Sequence, residues 1–265
     1  MRVNALEERL LQGEITDLCR AALIASGVAT RSQVDSYLSL LDRLWRSIPA
    51  EVLAPRSKLE AAQGLFRWLW QRKPARYRSG GHFKLSDVLE AEMDSTSEAV
   101  GNCLGLTLLY NVLLERLGLR PRAVHLDHAF GIGPHVFTVL HFEGRRPERS
   151  AELTPRLVEG RSIDIENIFP HGFDYKGHLG DPQRKEWDSR QLVGDIYASR
   201  GNQCFEAGKL EAAVDLYDKA MVLNPTHPTA ALNRAMALAE LGKTEEAGKG
   251  LAEHSPEPVE GEGRL

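Results

Sequence analysis

The sequence predicts a mostly helical α+β fold, in which a central helix packs on a small antiparallel sheet and a helical repeat region follows. Three observations lead to this prediction. A helical segment that is apolar on nearly all sides begins at Cys103. Three short runs rich in β-branched and aromatic residues come after it, and the last part of the chain repeats with a period of 34 residues. Packing a helix on a sheet, and paired helices on one another, would bury these apolar surfaces.

The first part of the chain is predicted to be helical. Apolar side chains recur three and four positions apart, as on one face of a helix, at Leu38, Leu41, Leu44 and Trp45. A further helix over 59–70 carries a bulky apolar stripe that is expected to lie in the core, and Pro74 stops it. A short helix over 84–93 then leads into the polar turn before Cys103.

Residues 102–117 form the predicted central helix, and Gly118 is its expected C-terminal stop. Three strands are predicted after it, at Arg122–Leu126, His135–Phe142 and Arg161–Ile165. The chain is accordingly divided into four segments. These are an N-terminal helical segment (1–56), the helix-and-sheet core (57–182), a repeat region of about two units (187–253) and a disordered tail (254–265) rich in Pro, Glu and Gly.

Composition narrows the classes of function. The chain has 265 residues, of which 42% are hydrophobic and 26% are charged, as in ordinary soluble globular proteins. A net charge of -4 gives no attraction to nucleic acid or to an anionic membrane, so neither partner is expected. The sequence shows no signal peptide and no apolar stretch of about 18 residues, which favours a cytoplasmic protein.

The three cysteines, Cys19, Cys103 and Cys204, are odd in number and far apart, so they do not indicate a disulfide framework. Cys19 and Cys204 lie on predicted helical faces and are interpreted as packing residues. Cys103 differs, because it lies where a polar turn becomes a helix, and the helix N-terminal dipole there favours a thiolate. The competing interpretation of Cys103 is that of a small buried hydrophobic residue.

A histidine and an acid follow Cys103 in the order that nucleophilic catalysis by a thiol requires. His135 opens the second predicted strand, and Asp164 lies in the third. A histidine near a thiol can take its proton and return it to a leaving group, and an acid fixes the tautomer of the imidazole.

For both His135 and Asp164, the sequence offers alternative residues for the same role. The other candidate histidines are His125, His128 and His141. Glu166 competes with Asp164, because side chains two positions apart point to the same face of a strand. These alternatives stay open at the level of sequence.

No metal or cofactor is expected. The histidines and cysteines have neither the paired-cysteine spacing of a zinc site nor a His-Glu-x-x-His helix. Gly131 and Gly133 lack the third glycine and the following helix of a dinucleotide-binding loop, so they are interpreted as a turn.

The repeat region resembles the tetratricopeptide family. Gly201, Gly208 and Ala213 are answered 34 residues later by Ala235, Gly242 and Ala247, and Asn224-Pro225 ends the first unit. Small residues at these places let paired helices approach closely. The resemblance implies that this region binds a protein partner.

The core, over 59–174, resembles the transglutaminase-like superfamily of the papain-like group. The resemblance rests on residues 101–119 around Cys103, on the connector Leu-Gly-Leu-Arg-Pro-Arg that ends at Arg122, and on the strand that opens with His135. It implies a Cys103, His135 and Asp164 triad that carries out acyl transfer on peptide or protein amides, as a protease, amidase or cross-linking enzyme. It also implies an oxyanion donor near the start of the cysteine helix, for which Asn102 is a candidate.

A non-enzymatic protein is the rival hypothesis. In that case the core would keep the fold without catalytic activity, and the repeats would bind a partner peptide. The intact Cys, His, Asp order favours the enzyme. The distance between the Cys103 thiol and the imidazole of His135 separates the two hypotheses.

Overall fold

The computed structural model describes residues 3–55, 57–131, 133–142 and 161–248. The helices of this part of the chain are α1 (Ala5–Leu11), α2 (Leu18–Ala25), α3 (Arg31–Arg46), α4 (Ala50–Leu53), α5 (Lys58–Arg72), α6 (Leu85–Met93), α7 (Cys103–Arg116), α8 (Ser189–Glu206), α9 (Leu210–Leu223) and α10 (Ala230–Glu240). The strands are β1 (Arg122–Leu126), β2 (His135–Phe142), β3 (Arg161–Ile165) and β4 (Lys185–Trp187). The mostly helical α+β fold expected from the sequence is confirmed.

The central helix α7 is buried along almost its whole length, as its apolar sequence predicts. Asn102 caps its first turn, and Gly118 follows its last turn with φ 70°, a left-handed conformation that glycine adopts without strain. The helix therefore begins at Cys103 and ends close to its predicted stop.

One antiparallel sheet of strand order β3-β2-β1-β4 packs against α7. The three predicted strands have the bounds expected from the sequence. The fourth, β4, was missed because it has only three residues and none of the β-branched enrichment that marks the others. β2 lies between β3 and β1, and its first six residues are buried.

One hydrophobic core runs from the N-terminal helices through the sheet layer into α8 and α9. Its buried members include Leu23 of α2, Leu109 of α7 and Val193 of α8. The core is thus continuous across the predicted segment boundaries at 57 and 187. The predicted disordered tail (254–265) and residues 249–253 of the repeat region lie outside the described residues.

The repeat helices pack closely where small residues were expected. A Cβ atom on Gly201 would lie 2.6 Å from the ring of Tyr217, so only glycine lets α8 and α9 approach as they do. Ala213 and Ala237 are fully buried in a small cluster with Tyr217. Within the described ranges, no helix is both long and apolar enough to cross a membrane.

Candidate functional site

The start of α7 is held firmly against the loop before it. The Asn102 side chain accepts a hydrogen bond from the Gly105 amide (3.1 Å), and the Asn102 amide donates to the His82 carbonyl (3.0 Å). A Cβ on Gly105 would lie 2.2 Å from that carbonyl oxygen, so the helix and the loop could not approach as closely with any larger residue. Cys103 is half-buried at this junction.

The other two thiols are packing residues, as predicted. Cys19 is buried in the core, and burial, followed by the nearby Asp17 carboxylate, raises its pKa to about 12. Cys204 is partly buried and packs against the main core and a smaller cluster between the repeat helices. Neither is placed for nucleophilic chemistry.

A buried polar network fixes α7 to the sheet. The Asn167 side-chain amide donates to the hydroxyls of Thr107 (3.2 Å) and Thr138 (2.9 Å), and Thr138 donates to Asn111 (2.7 Å). Thr107 and Asn111 follow Cys103 by four and eight residues, so all three lie on one face of the helix. Fully paired networks of this kind specify one arrangement of a core, here that of the cysteine helix on strand β2.

His135 lies at the start of β2 and is 1% exposed. Its Nε2 atom is 2.8 Å from Oε2 of Glu166. The other ring nitrogen, Nδ1, is buried, and none of the described residues lies at both the distance and the angle of a hydrogen bond to it. Burial opposes a charge on the ring, but the adjacent Cys103 thiol and the Glu166 carboxylate outweigh it and raise the pKa of His135 to about 9. The structure thus brings together the thiol and the histidine that the sequence singled out.

The carboxylate at the ring belongs to Glu166, and the Asp164 assignment requires correction. Asp164 accepts two hydrogen bonds from Arg184, at 2.7 and 2.8 Å. The register of the sheet explains the difference, because Asp164 lies opposite Val139 and Ile165 opposite Thr138. In antiparallel strands, later residues of β3 lie nearer to the start of β2, so Glu166 approaches His135 and Asp164 does not.

A second histidine, His178, also meets Glu166. Its Nε2 atom is 3.3 Å from the same Oε2 atom. The loop after β3 turns back along the strand, with a bridge between Ile165 and Phe173 and a hydrogen bond from the Tyr175 amide to the Asp164 carbonyl. Sequence reasoning missed His178 because it lies in a loop with no periodic pattern.

Aromatic rings surround this cluster. Phe130 packs edge-on against the rings of His135 (centroids 5.3 Å apart) and His178 (5.0 Å), and Phe137 stacks on His178 at 5.0 Å. Phe130 has φ 52°, a conformation that is strained for a bulky residue, and it is 45% exposed. An apolar rim of this kind excludes water from the polar cluster.

The competing histidines lie elsewhere. His125 is buried and stacks on Trp187, and its burial lowers its pKa to about 4. His141 is exposed and bound to Glu186, and His128 is exposed on the loop after β1. None of the three is paired with Glu166.

Tyr77 is a further residue that sequence reasoning missed. It forms an isolated parallel bridge with Gly101, two residues before Cys103, and it is half-buried. Burial raises the pKa of its phenol, and the charges of Cys103 and Glu166 raise it further. Asn102, by contrast, uses its side-chain oxygen to cap the helix.

Comparison with protein families matched residues 201–242 to the TPR repeat. The match covers the end of α8, all of α9 and all of α10, and it confirms the tetratricopeptide part of the resemblance. Repeats of this kind indicate binding of a protein partner. Neither the curated proteins nor the solved structures gave a match to the chain.

Proposed function

We propose that this protein is a cysteine-dependent acyl-transfer enzyme that acts on peptide or protein amides, with Cys103 as nucleophile, His135 as base and Glu166 as the acid that orients the base. One observation carries the proposal. A buried imidazole hydrogen-bonds to a buried carboxylate through Nε2, and a half-buried thiol at a helix start is a second polar neighbour of the ring.

The fold supports the same proposal. A cysteine opens the central helix, and that helix packs on the strand that begins with the histidine. This is the arrangement implied by the resemblance to the transglutaminase-like superfamily, and we propose that the core belongs to that group. The acid position is taken by Glu166, one residue past the end of β3.

The chemistry follows from the two ring nitrogens. Nε2 of His135 is held by Glu166, which leaves Nδ1 to take the proton of the Cys103 thiol. The thiolate sulfur attacks the amide carbonyl carbon, and the C–N bond then breaks as His135 returns the proton to the leaving amine. The resulting thioester is resolved by water, giving hydrolysis, or by a second amine, giving transamidation.

The oxyanion formed during attack needs hydrogen-bond donors. The backbone amide of Cys103 is available at the helix start, and we propose the Tyr77 hydroxyl as the second donor, because Tyr77 forms a bridge with Gly101, two residues before Cys103. Tyr77→Phe is expected to slow acylation of Cys103 by p-nitrophenyl acetate about 100-fold. Alkylation by iodoacetamide forms no oxyanion and should slow far less. Equal slowing of both reactions would rule out the oxyanion role.

The reactivity of the thiols tests the proposal directly. In the full-length protein at neutral pH, with EDTA present, Cys103 is expected to react with iodoacetamide at least about tenfold faster than Cys19 or Cys204. His135→Ala is expected to slow the reaction of Cys103 about tenfold, because the base and its charge are lost. Mass spectrometry of peptides from timed samples gives all three rates in one experiment.

His128→Gln is the matched control, because His128 is an exposed histidine away from the cluster. It should leave all three rates unchanged. Equal rates for Cys103 and Cys204, or no effect of His135→Ala in a protein that remains folded by circular dichroism, would exclude an activated nucleophile.

A scaffold function is the second candidate, and the TPR match favours it. Two large apolar side chains of α10, Leu232 and Met236, are about half exposed (51% and 48%) within the matched residues. On this hypothesis the repeats bind a protein partner and the core only supports them. An unreactive Cys103 would leave the scaffold as the better description, whereas an activated thiol makes the repeats the means by which the enzyme binds its protein substrate or partner.

A further inference from the structure

The side chains of His135, Glu166 and His178 form a cluster that the thiol chemistry does not fully use. Each offers one ligand atom, and the three atoms lie within 4.8 Å of one another. All three residues are buried, at 1%, 0% and 7% exposure. The described residues contain no other group of three such side chains.

The distances fit a small divalent cation. Oε2 of Glu166 is 2.8 Å from Nε2 of His135 and 3.3 Å from Nε2 of His178. A tetrahedral zinc ion with bonds of about 2.0–2.1 Å holds neighbouring ligand atoms about 3.3 Å apart. Small side-chain shifts would therefore make the hydrogen-bonded cluster a coordination site with two nitrogens, one oxygen and a water.

The donor set and its surroundings select among metals. Two imidazoles and a carboxylate are ligands that Zn²⁺ prefers, whereas Mg²⁺ and Ca²⁺ take sites built mainly from oxygen atoms. The rings of Phe130, Phe137 and Tyr175 pack around His178 at centroid distances of 5.0 Å. Such an apolar shell limits solvent access to a bound ion.

The loop that carries His178 is fastened in place. Arg184 binds Asp164 through two hydrogen bonds, and the Tyr175 amide donates to the Asp164 carbonyl. Asp164, which the sequence suggested as the catalytic acid, thus anchors both sides of His178 in the chain. These contacts hold the loop, and with it His178, in place beside Glu166.

We propose that His135, Glu166 and His178 bind one Zn²⁺ ion, and that the bound ion suppresses the nucleophilic reactivity of the Cys103 thiol. Zinc takes the Nε2 position of both rings, and the two Nε2 protons pass to solvent. A neutral His135 bound through Nε2 carries its remaining proton on Nδ1, next to Cys103. The ring then has no lone pair with which to accept the thiol proton.

Zinc binding is independent of the proposed function, but the inhibition rests on it. The experiment uses the full-length protein freed of metal by EDTA and desalted. Zn²⁺ titration by calorimetry, with metal content measured by mass spectrometry, is expected to give one ion per chain. His178→Gln should weaken binding about 100-fold or more, since it removes a ligand. Cys103→Ser should retain the site, because the thiol is not a ligand.

Alkylation of Cys103 provides the second readout. Stoichiometric Zn²⁺ is expected to suppress it about tenfold in the unmodified protein and His128→Gln, but not in His178→Gln. Unchanged zinc affinity in His178→Gln, or loss of binding in Cys103→Ser, would overturn the site. Zinc binding that leaves the rate of Cys103 alkylation unchanged would overturn the proposed inhibition. If Cys103 is no more reactive than Cys204 without metal, the proposed enzyme fails while the zinc site is still decided by calorimetry.

Discussion

Glu166→Gln is expected to slow alkylation of Cys103 at least about tenfold, whereas Asp164→Asn is expected to leave the rate within about twofold. The reason is that Glu166 hydrogen-bonds to Nε2 of His135, while Asp164 is bound to Arg184. A glutamine cannot stabilise the imidazolium as the carboxylate does, and it can hold the ring in the wrong tautomer. The rates are measured with iodoacetamide and EDTA at neutral pH.

The two variants make a matched pair, because both acids are buried in β3 or directly after it and each loses one charge. Asp164→Asn should instead lower the free energy of unfolding by about 2 kcal/mol, since it weakens the two charged hydrogen bonds from Arg184. Urea unfolding of both variants separates loss of reactivity from loss of stability. If Asp164→Asn slowed alkylation of Cys103 and Glu166→Gln left the rate unchanged, the role of the acid would return to Asp164.

Lys219→Met is expected to lower the free energy of unfolding by about 3 kcal/mol. Lys219 in α9 and Glu7 in α1 form an ion pair of 3.0 Å, and the Tyr197 hydroxyl donates to the other Glu7 oxygen at 2.9 Å. Both charged side chains are at most 10% exposed. Replacing the lysine leaves a buried carboxylate without its cation, which is the costly half of breaking such a pair.

The double variant Glu7→Gln with Lys219→Met tests this cause. It removes both charges, so it should recover most of the lost stability, and the two changes should be strongly non-additive in urea unfolding. Additive effects would show that the charges do not interact as the structure places them. Glu8→Gln, at an exposed position of the same helix, is a suitable control and should change the unfolding free energy by less than about 0.5 kcal/mol.

The elements predicted well from sequence are those specified by local signals. The start of α7 at Cys103, its stop at Gly118 and the three longer strands each depend on residues next to them in the chain. The same holds for the close approach at Gly201, which follows from a repeat pattern.

The features that escaped sequence reasoning depend on residues brought together from distant parts of the chain. Glu166 replaces Asp164 because the register between β2 and β3 decides which acid reaches His135. His178 and Tyr77 join the site through a loop that folds back and through a single bridge, and neither leaves a periodic trace in the sequence. The proximity of Cys103 and His135 was therefore predictable, while the carboxylate at the His135 ring and the second histidine were not.

The ion pair between Glu7 and Lys219 has a consequence for how the chain is made. The two residues are 212 positions apart, and α2 also packs against α8. A ribosome adds about 5–20 residues per second, so α1 and α2 wait on the order of ten seconds or more for α8 and α9, which cover part of their surface. During synthesis, the parts of α1 and α2 that pack on α9 and α8 therefore stay uncovered on the nascent chain long after the two helices have been made.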